Sequence, residues 1–270
     1  MGEARVDVAR VGCGEGCVAV ITIRRPGALN ALTFDMIRAL SKAFREIRED
    51  PPEISESVRA VVLTGCGRAF SSGIDLSAAA EVFGGSESDL TNDVVHQMEA
   101  LDCPIIGAIN GAAVTAGFEI ALACDVLVAS PEAFFMDTHC KFGIMPGWGL
   151  SQKLPRLIGV NRAREVAFTS RKVSATEAER WGLVNRVVSG EKLVNTAIEI
   201  GQRIAKNQQT TVKNYKKVLS DGYALAFGEA REMERRVAWQ YYREMDPKHF
   251  ERLRRFIQSR SASRKPASKL

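Results

Sequence analysis

Histidine is scarce in this chain of 270 residues: three are present, at positions 96, 139 and 249. The six cysteines (13, 17, 66, 103, 124 and 140) form no C-x-x-C pair. Zinc ligands of the usual spacing are therefore absent, and the cysteines read as reduced, structurally passive thiols. No run of about 18 apolar residues occurs, so no segment reads as a membrane span. The N-terminus lacks the apolar stretch of a secretory signal, and Val6 stands where a myristoylation signal after Met1-Gly2 needs Ser or Thr.

What is present is ordinary globular composition, 46% apolar and 26% charged, which excludes a disordered chain, a collagen-like repeat and a disulfide mini-protein. The formal net charge of +5 is unevenly placed. Residues 251–270 carry Arg252, Arg254, Arg255, Arg260, Arg264, Lys265 and Lys269 against Glu251 alone, a local net of +6, so the preceding residues sum to −1. A body of that charge is a poor candidate for nucleic-acid binding. The chain ends Ser268-Lys269-Leu270, which reads as a peroxisomal address for an import receptor, with Ser259 to Pro266 as a solvated leash. The expected location is the peroxisomal matrix.

The apolar, β-branched runs 18–23, 58–64, 104–109 and 126–129 predict buried strands. Helical spacing is expected at 34–49, where Met36, Ile37, Leu40, Phe44 and Ile47 form a stripe, and again around 91–101, 117–124 and 161–169. Ser174 with Glu177 predicts a capping box for a helix over 175–181, closed by Gly182. From 191 onward helices follow one another (191–207, 209–220, 224–244, 247–258), with Gly222 and Pro247 as punctuation. The expected organisation is an α/β core over 1–190, a helical region over 191–258 and a flexible basic tail over 259–270.

Two glycine-containing turns follow predicted strands. One runs from Gly65 through Ser72-Gly73-Ile74-Asp75-Leu76, the other from Asn110-Gly111 to Ala116-Gly117-Phe118-Glu119. Both exits are expected at one end of a sheet, where α/β folds bind ligands. Neither matches G-x-G-x-x-G or the P-loop, which argues against those nucleotide-phosphate cradles. Small residues before the helix near Ala116 leave free N–H groups at an electropositive helix end. Glu119, in the first turn, reads either as a first-turn helix charge or as a base beside an oxyanion site.

The string Ala69-Phe70-Ser71-Ser72-Gly73-Ile74-Asp75-Leu76, followed by Asn110-Gly111 through Glu119-Ile120-Ala121 and Cys124-Asp125, resembles the enoyl-CoA hydratase/isomerase (crotonase) superfamily. Arg25-Pro26 with Leu29-Asn30-Ala31-Leu32, Gly143-Ile144-Met145-Pro146-Gly147 with Gly149, and Ala178 to Val188 extend the resemblance over roughly residues 17–260.

The resemblance implies a spiral of ββα units with a helical C-terminal region used in assembly as a trimer or dimer of trimers. It also implies an acyl-CoA thioester substrate and no cofactor beyond the coenzyme A that the substrate carries. Carried over by motif, the backbone N–H groups of Ile74 and Ala116 hold the thioester oxygen. Ala28, Ser72, Gly73, Asp75, Leu76 and Gly117 line the substrate site, and Lys265 or Arg264 meets CoA phosphates or is simply solvated. Glu119 matches the first of the family's two catalytic glutamates. The position of the second holds His139, which acts either as an acid or base or as a polar pocket residue, with Asp137 as another possible substitute. Trp148 and Phe142 are open between an acyl tunnel and the core, and Arg68 between a role at the turn and the surface. The activity implied is addition of water to a 2-trans-enoyl-CoA in peroxisomal fatty acid β-oxidation. The alternatives are a Δ3,Δ2-enoyl-CoA isomerase, a thioester hydrolase, and an acyl-CoA-binding member without hydration chemistry, which the His139 substitution would favour and Glu119 would oppose.

Overall fold

The computed structural model describes residues 4–14, 16–49, 57–84, 90–246 and 248–262. Pro247, Arg264, Lys265, the part of the leash beyond residue 262 and Ser268-Lys269-Leu270 thus lie outside the described residues, whereas residues 259–262, expected as leash, are helical. Ten strands occur among the described residues: β1 (Arg5–Gly12), β2 (Cys17–Arg24), β3 (Val58–Gly65), β4 (Ala69–Ser71), β5 (Ile105–Ile109), β6 (Ala112–Val114), β7 (Val126–Ala129), β8 (Phe134–Met136), β9 (Lys172–Ser174) and β10 (Arg186–Val187). The helices are α1 (Phe34–Arg48), α2 (Ala79–Phe83), α3 (Val94–Glu99), α4 (Ala116–Leu122), α5 (His139–Phe142), α6 (Leu150–Ile158), α7 (Val160–Thr169), α8 (Ala175–Arg180), α9 (Gly190–Ala205), α10 (Gln209–Tyr223), α11 (Phe227–Glu244) and α12 (His249–Ala262).

The strands form two sheets, ordered β1-β2-β3-β5-β7-β10 and β4-β6-β8-β9. From β3 to β8 the chain alternates between them, and each pass advances one position along both sheets. This is the spiral of ββα turns. Pairing is parallel except for β1 with β2 and β8 with β9.

The long apolar runs have a simple cause. Strands β3, β5 and β7 are buried on both faces, which removes the polar alternation of a one-sided sheet. Ala60, Val62, Ile106, Ala108 and Val128 pack with Leu193 and Ala197 of α9, while Val61, Leu63, Ile105, Ile109 and Leu127 join the larger core on the opposite face. Helix α1 starts where the Thr33 side chain accepts the Met36 N–H, and it buries Met36, Leu40 and Phe44 in that larger core. Full burial of Leu40 or Phe44 is worth about 1.5–3 kcal/mol each.

Three short strands, β4, β6 and β9, were not expected. At three residues each they show no period for a pattern to reveal. They move the two loop exits: β3 and β5 lead first into β4 and β6, and the glycine-containing turns leave from this second sheet. The predicted capping box is half present. Ser174 accepts the Glu177 N–H, but the Glu177 carboxylate pairs with Arg171 instead of turning back.

Successive turns of the spiral touch backbone to backbone. A Cβ placed on Gly111 or Gly117 would lie 2.1 Å from the Arg68 oxygen and 2.3 Å from the Ser71 oxygen, respectively, and within the first turn one on Gly65 would lie 2.2 Å from the Ala69 oxygen. The chain divides into compact units Met1–Lys216 and Lys217–Leu270, so α9 lies in the unit that carries both sheets. In the second unit, α11 leaves Phe227, Trp239 and Tyr242 exposed.

Candidate active site

The first turn follows β4. Gly73 takes φ +99°, which a side chain rarely adopts. Its carbonyl accepts the Leu32 N–H at 2.8 Å, and Asp75 N–H donates to the Leu32 oxygen at 2.8 Å. This parallel bridge turns the intervening Ile74 N–H away from Leu32, and among the described residues that N–H has no acceptor. The loop carrying Leu32 is pinned in turn. The buried Asn30 side chain donates to the Ala69 and Cys66 oxygens and accepts the Arg25 N–H. Arg25 Nη1 pairs with the Asp75 carboxylate and donates to the Ala31 oxygen.

The second turn follows β6. Thr115 takes φ 51° and ψ −112°, a backbone region that disfavours a β-branched residue. It is held there by its N–H on the Met136 oxygen and by a hydroxyl–hydroxyl bond to Thr138. Its carbonyl accepts the N–H groups of Phe118 and Glu119, which starts α4 and leaves the Ala116 N–H without an acceptor among the described residues. A Cβ on Gly73 would lie 3.6 Å from the Ala116 nitrogen and 3.0 Å from the Val114 oxygen. The two turns therefore sit side by side.

Glu119 projects from α4 and is 3% exposed. Its Oε1 accepts the Trp148 N–H at 2.8 Å and the Leu150 N–H at 3.4 Å. Burial raises the carboxyl above its ordinary range, opposed by those two N–H groups and by His139. His139 opens α5, just beyond β8, with Nε2 3.8 Å from Glu119 Oε2. Asp137 Oδ1 lies 2.6 Å from the other ring nitrogen, Nδ1, and accepts the His139 backbone N–H at 3.0 Å. All three side chains are buried.

Of the residues expected from the sequence, Ile74, Ala116, Gly73, Glu119 and His139 come together at the meeting of the two turns. Ser72 reaches the loop of Ala28, donating its N–H to the Leu29 oxygen and its hydroxyl to the Ala28 oxygen. Asp75 is committed to Arg25 and Ser77, Leu76 is largely exposed, and Gly117 packs on Ser71. Asp137 lies behind His139, not across from it as a substitute acid would. Phe142 is exposed, Trp148 packs at the core margin, and Arg68 is exposed. Arg25, Asn30, Thr115 and Thr138 carried no expected role of their own. Their contacts reach 23 to 50 residues along the chain, which no local pattern records.

Residues 14–265 match the profile of the enoyl-CoA hydratase/isomerase family. A relative from Arabidopsis thaliana, named probable enoyl-CoA hydratase 1, peroxisomal, is 51% identical over 255 residues, 94% of each chain. A solved enoyl-CoA hydratase from Bacillus anthracis superposes with a TM-score of 0.79 at 32% identity, over 94% of this chain and 96% of that one. A monofunctional enoyl-CoA isomerase from M. smegmatis does so with a TM-score of 0.70 at 37% identity, over 83% and 96%.

Proposed function

The chain belongs to the enoyl-CoA hydratase/isomerase family, and from that premise we propose that it adds water across the double bond of a 2-trans-enoyl-CoA to give the 3-hydroxyacyl-CoA. The observation that carries this reading is the pair of buried groups, Glu119 Oε2 and His139 Nε2, facing one another across 3.8 Å. They stand beside two backbone N–H groups without acceptors among the described residues. The Ile74 and Ala116 amides hold the thioester oxygen and stabilise the enolate that develops on it. Glu119 takes a proton from water as its oxygen bonds to Cβ, and His139 Nε2 delivers a proton to Cα. The reaction is redox-neutral and needs no cofactor beyond the CoA of the substrate. An isomerase needs a single proton shuttle, so a site with two proton-handling groups favours hydration.

The Ser268-Lys269-Leu270 ending and the peroxisomal name of the Arabidopsis relative support action in the peroxisomal matrix, in fatty acid β-oxidation, after capture by an import receptor. The family resemblance supports assembly as a trimer or dimer of trimers. Lys265 is a candidate contact for the CoA phosphates.

The test follows enoyl absorbance with crotonyl-CoA and, separately, with a 3-enoyl-CoA. Hydration of the first is expected, and Glu119→Gln lowers kcat by about 10²- to 10⁴-fold. Turnover of neither substrate, or of the 3-enoyl substrate alone, rejects the hydratase reading. The same variant has a second signature. Because burial raises the Glu119 pKa in the folded state, that state binds more protons than the unfolded chain as pH rises through the shifted range, and stability falls. Glu119→Gln removes that loss, so its Tm exceeds the parent's at pH 8 and the gap closes on acidification.

A further inference from the structure

We propose that Asp137 is a positioning residue that fixes which nitrogen of His139 does the proton transfer. This rests on the hydratase reading above. An ionised carboxylate only accepts hydrogen bonds, so Asp137 Oδ1, 2.6 Å from Nδ1, requires the ring proton to sit on Nδ1. The same oxygen accepts the His139 backbone N–H, which ties the carboxylate to the first residue of α5 and sets the ring's direction. With Nδ1–H occupied, Nε2 is bare in the neutral ring and a donor in the imidazolium. Nε2 is the atom that faces Glu119.

This arrangement closes the reaction cycle. At the start, Glu119 and Asp137 are carboxylates and His139 is an imidazolium. Water gives one proton to Glu119 while its oxygen bonds to Cβ, and His139 Nε2 gives its proton to Cα. The site then holds a protonated Glu119 and a neutral His139 with Nδ1–H still on Asp137. Moving the proton from Glu119 Oε2 to Nε2 restores the start. Both forms carry the same total charge, so the reset changes no net charge in a buried site, where such a change is costly. The 3.8 Å gap exceeds a direct hydrogen bond, which leaves the two atoms free to face substrate and water between resets.

The direct test is 15N–1H correlation spectroscopy of the histidine side chains in the wild-type protein. With three histidines, His139 is assigned by elimination using His96→Gln and His249→Gln, neither of which lies in the site. The expected result is a protonated Nδ1, either as the neutral Nδ1–H tautomer or as the imidazolium. A neutral Nε2–H tautomer overturns the proposal. This measurement does not depend on turnover, so its failure is distinct from failure of the hydratase assay. In the second arm, Asp137→Asn lowers kcat on crotonyl-CoA by at least about 100-fold, with KM within about twofold. Introduced into His139→Ala, it costs less than about threefold further, because the group it positions is gone. Equal losses in both backgrounds would assign Asp137 a purely structural role and sink the idea.

Discussion

The two turns that present the Ile74 and Ala116 amides do the same job with opposite backbone chemistry. At the first, Gly73 adopts φ +99° without steric cost, and the turn is secured from outside through Leu32, Asn30 and the Arg25–Asp75 pair. At the second, Thr115 adopts φ 51° and ψ −112° despite its branched side chain. A conformation of that kind costs about 1–3 kcal/mol and persists only where the surroundings over-determine it. Here the Thr138 hydroxyl and the Met136 carbonyl do so. A free amide can thus be aimed by a permissive residue in a charged frame or by a strained residue in a neutral one. In the second case the clamp comes from Met136 and Thr138, in the segment that leads into His139, so the strained turn and the proposed acid share one support.

The largest effect is expected where the permissive turn is broken. Gly73→Ala places a Cβ 3.0 Å from the Val114 oxygen, in the space between the turns, at a φ that a side chain resists. Loss of one amide donor of this type costs about 100- to 1,000-fold in kcat, and crotonyl-CoA kinetics should show a fall of that size. A change below about threefold would mean that the Ile74 amide plays no part.

Next comes the charged frame. Hydrogen bonds from Ser77 and then the Arg25 guanidinium lower the Asp75 pKa to about 2. The carboxylate's contribution is therefore complete above the ordinary carboxylate range and is lost as pH falls through about 2. Arg25→Ala should lower kcat by up to about tenfold, the equivalent of about 1.4 kcal/mol. The ratio to the parent should stay flat from about pH 5 to 9, since a group with a lowered pKa does not titrate there. A ratio that varies within that window would show that the frame depends on some other group.

The smallest effect sharpens the comparison from the strained side. Thr115→Gly with Thr138→Val removes both partners of the hydroxyl bond together, which avoids leaving one of them unsatisfied. The relieved strain, less the greater unfolded-state freedom of glycine, should leave a net gain of about 1 kcal/mol, read as a higher Tm. A lower Tm would indicate that Thr115 is not strained in solution.

Much of this was legible in the sequence, and what was not has physical reasons. VLVA at 126–129 matches β7 residue for residue, because a strand buried on both faces leaves a bare apolar run. Glu119 and the N–H groups before it were visible because a helix start is a local event. The second sheet was not, since a tripeptide such as Ala69-Phe70-Ser71 is a strand only through its neighbours. The role of Asp137 was hidden for a different reason. Asp137 and His139 look like alternate positions on a strand, but β8 ends at Met136, and the turn at Thr138 brings the carboxylate onto the ring.

The glycines at 111 and 117 act as a gauge for the site. Where they lie, one turn of the spiral rests on the next with no side chain between, so the spacing of the turns that aim the two amides is set by peptide dimensions and hydrogen-bond length. Core residues such as Val62 or Ile106 can change volume without resetting that distance. The walls around the site are then free to diversify, while the gap between the Ile74 and Ala116 amides keeps one calibre.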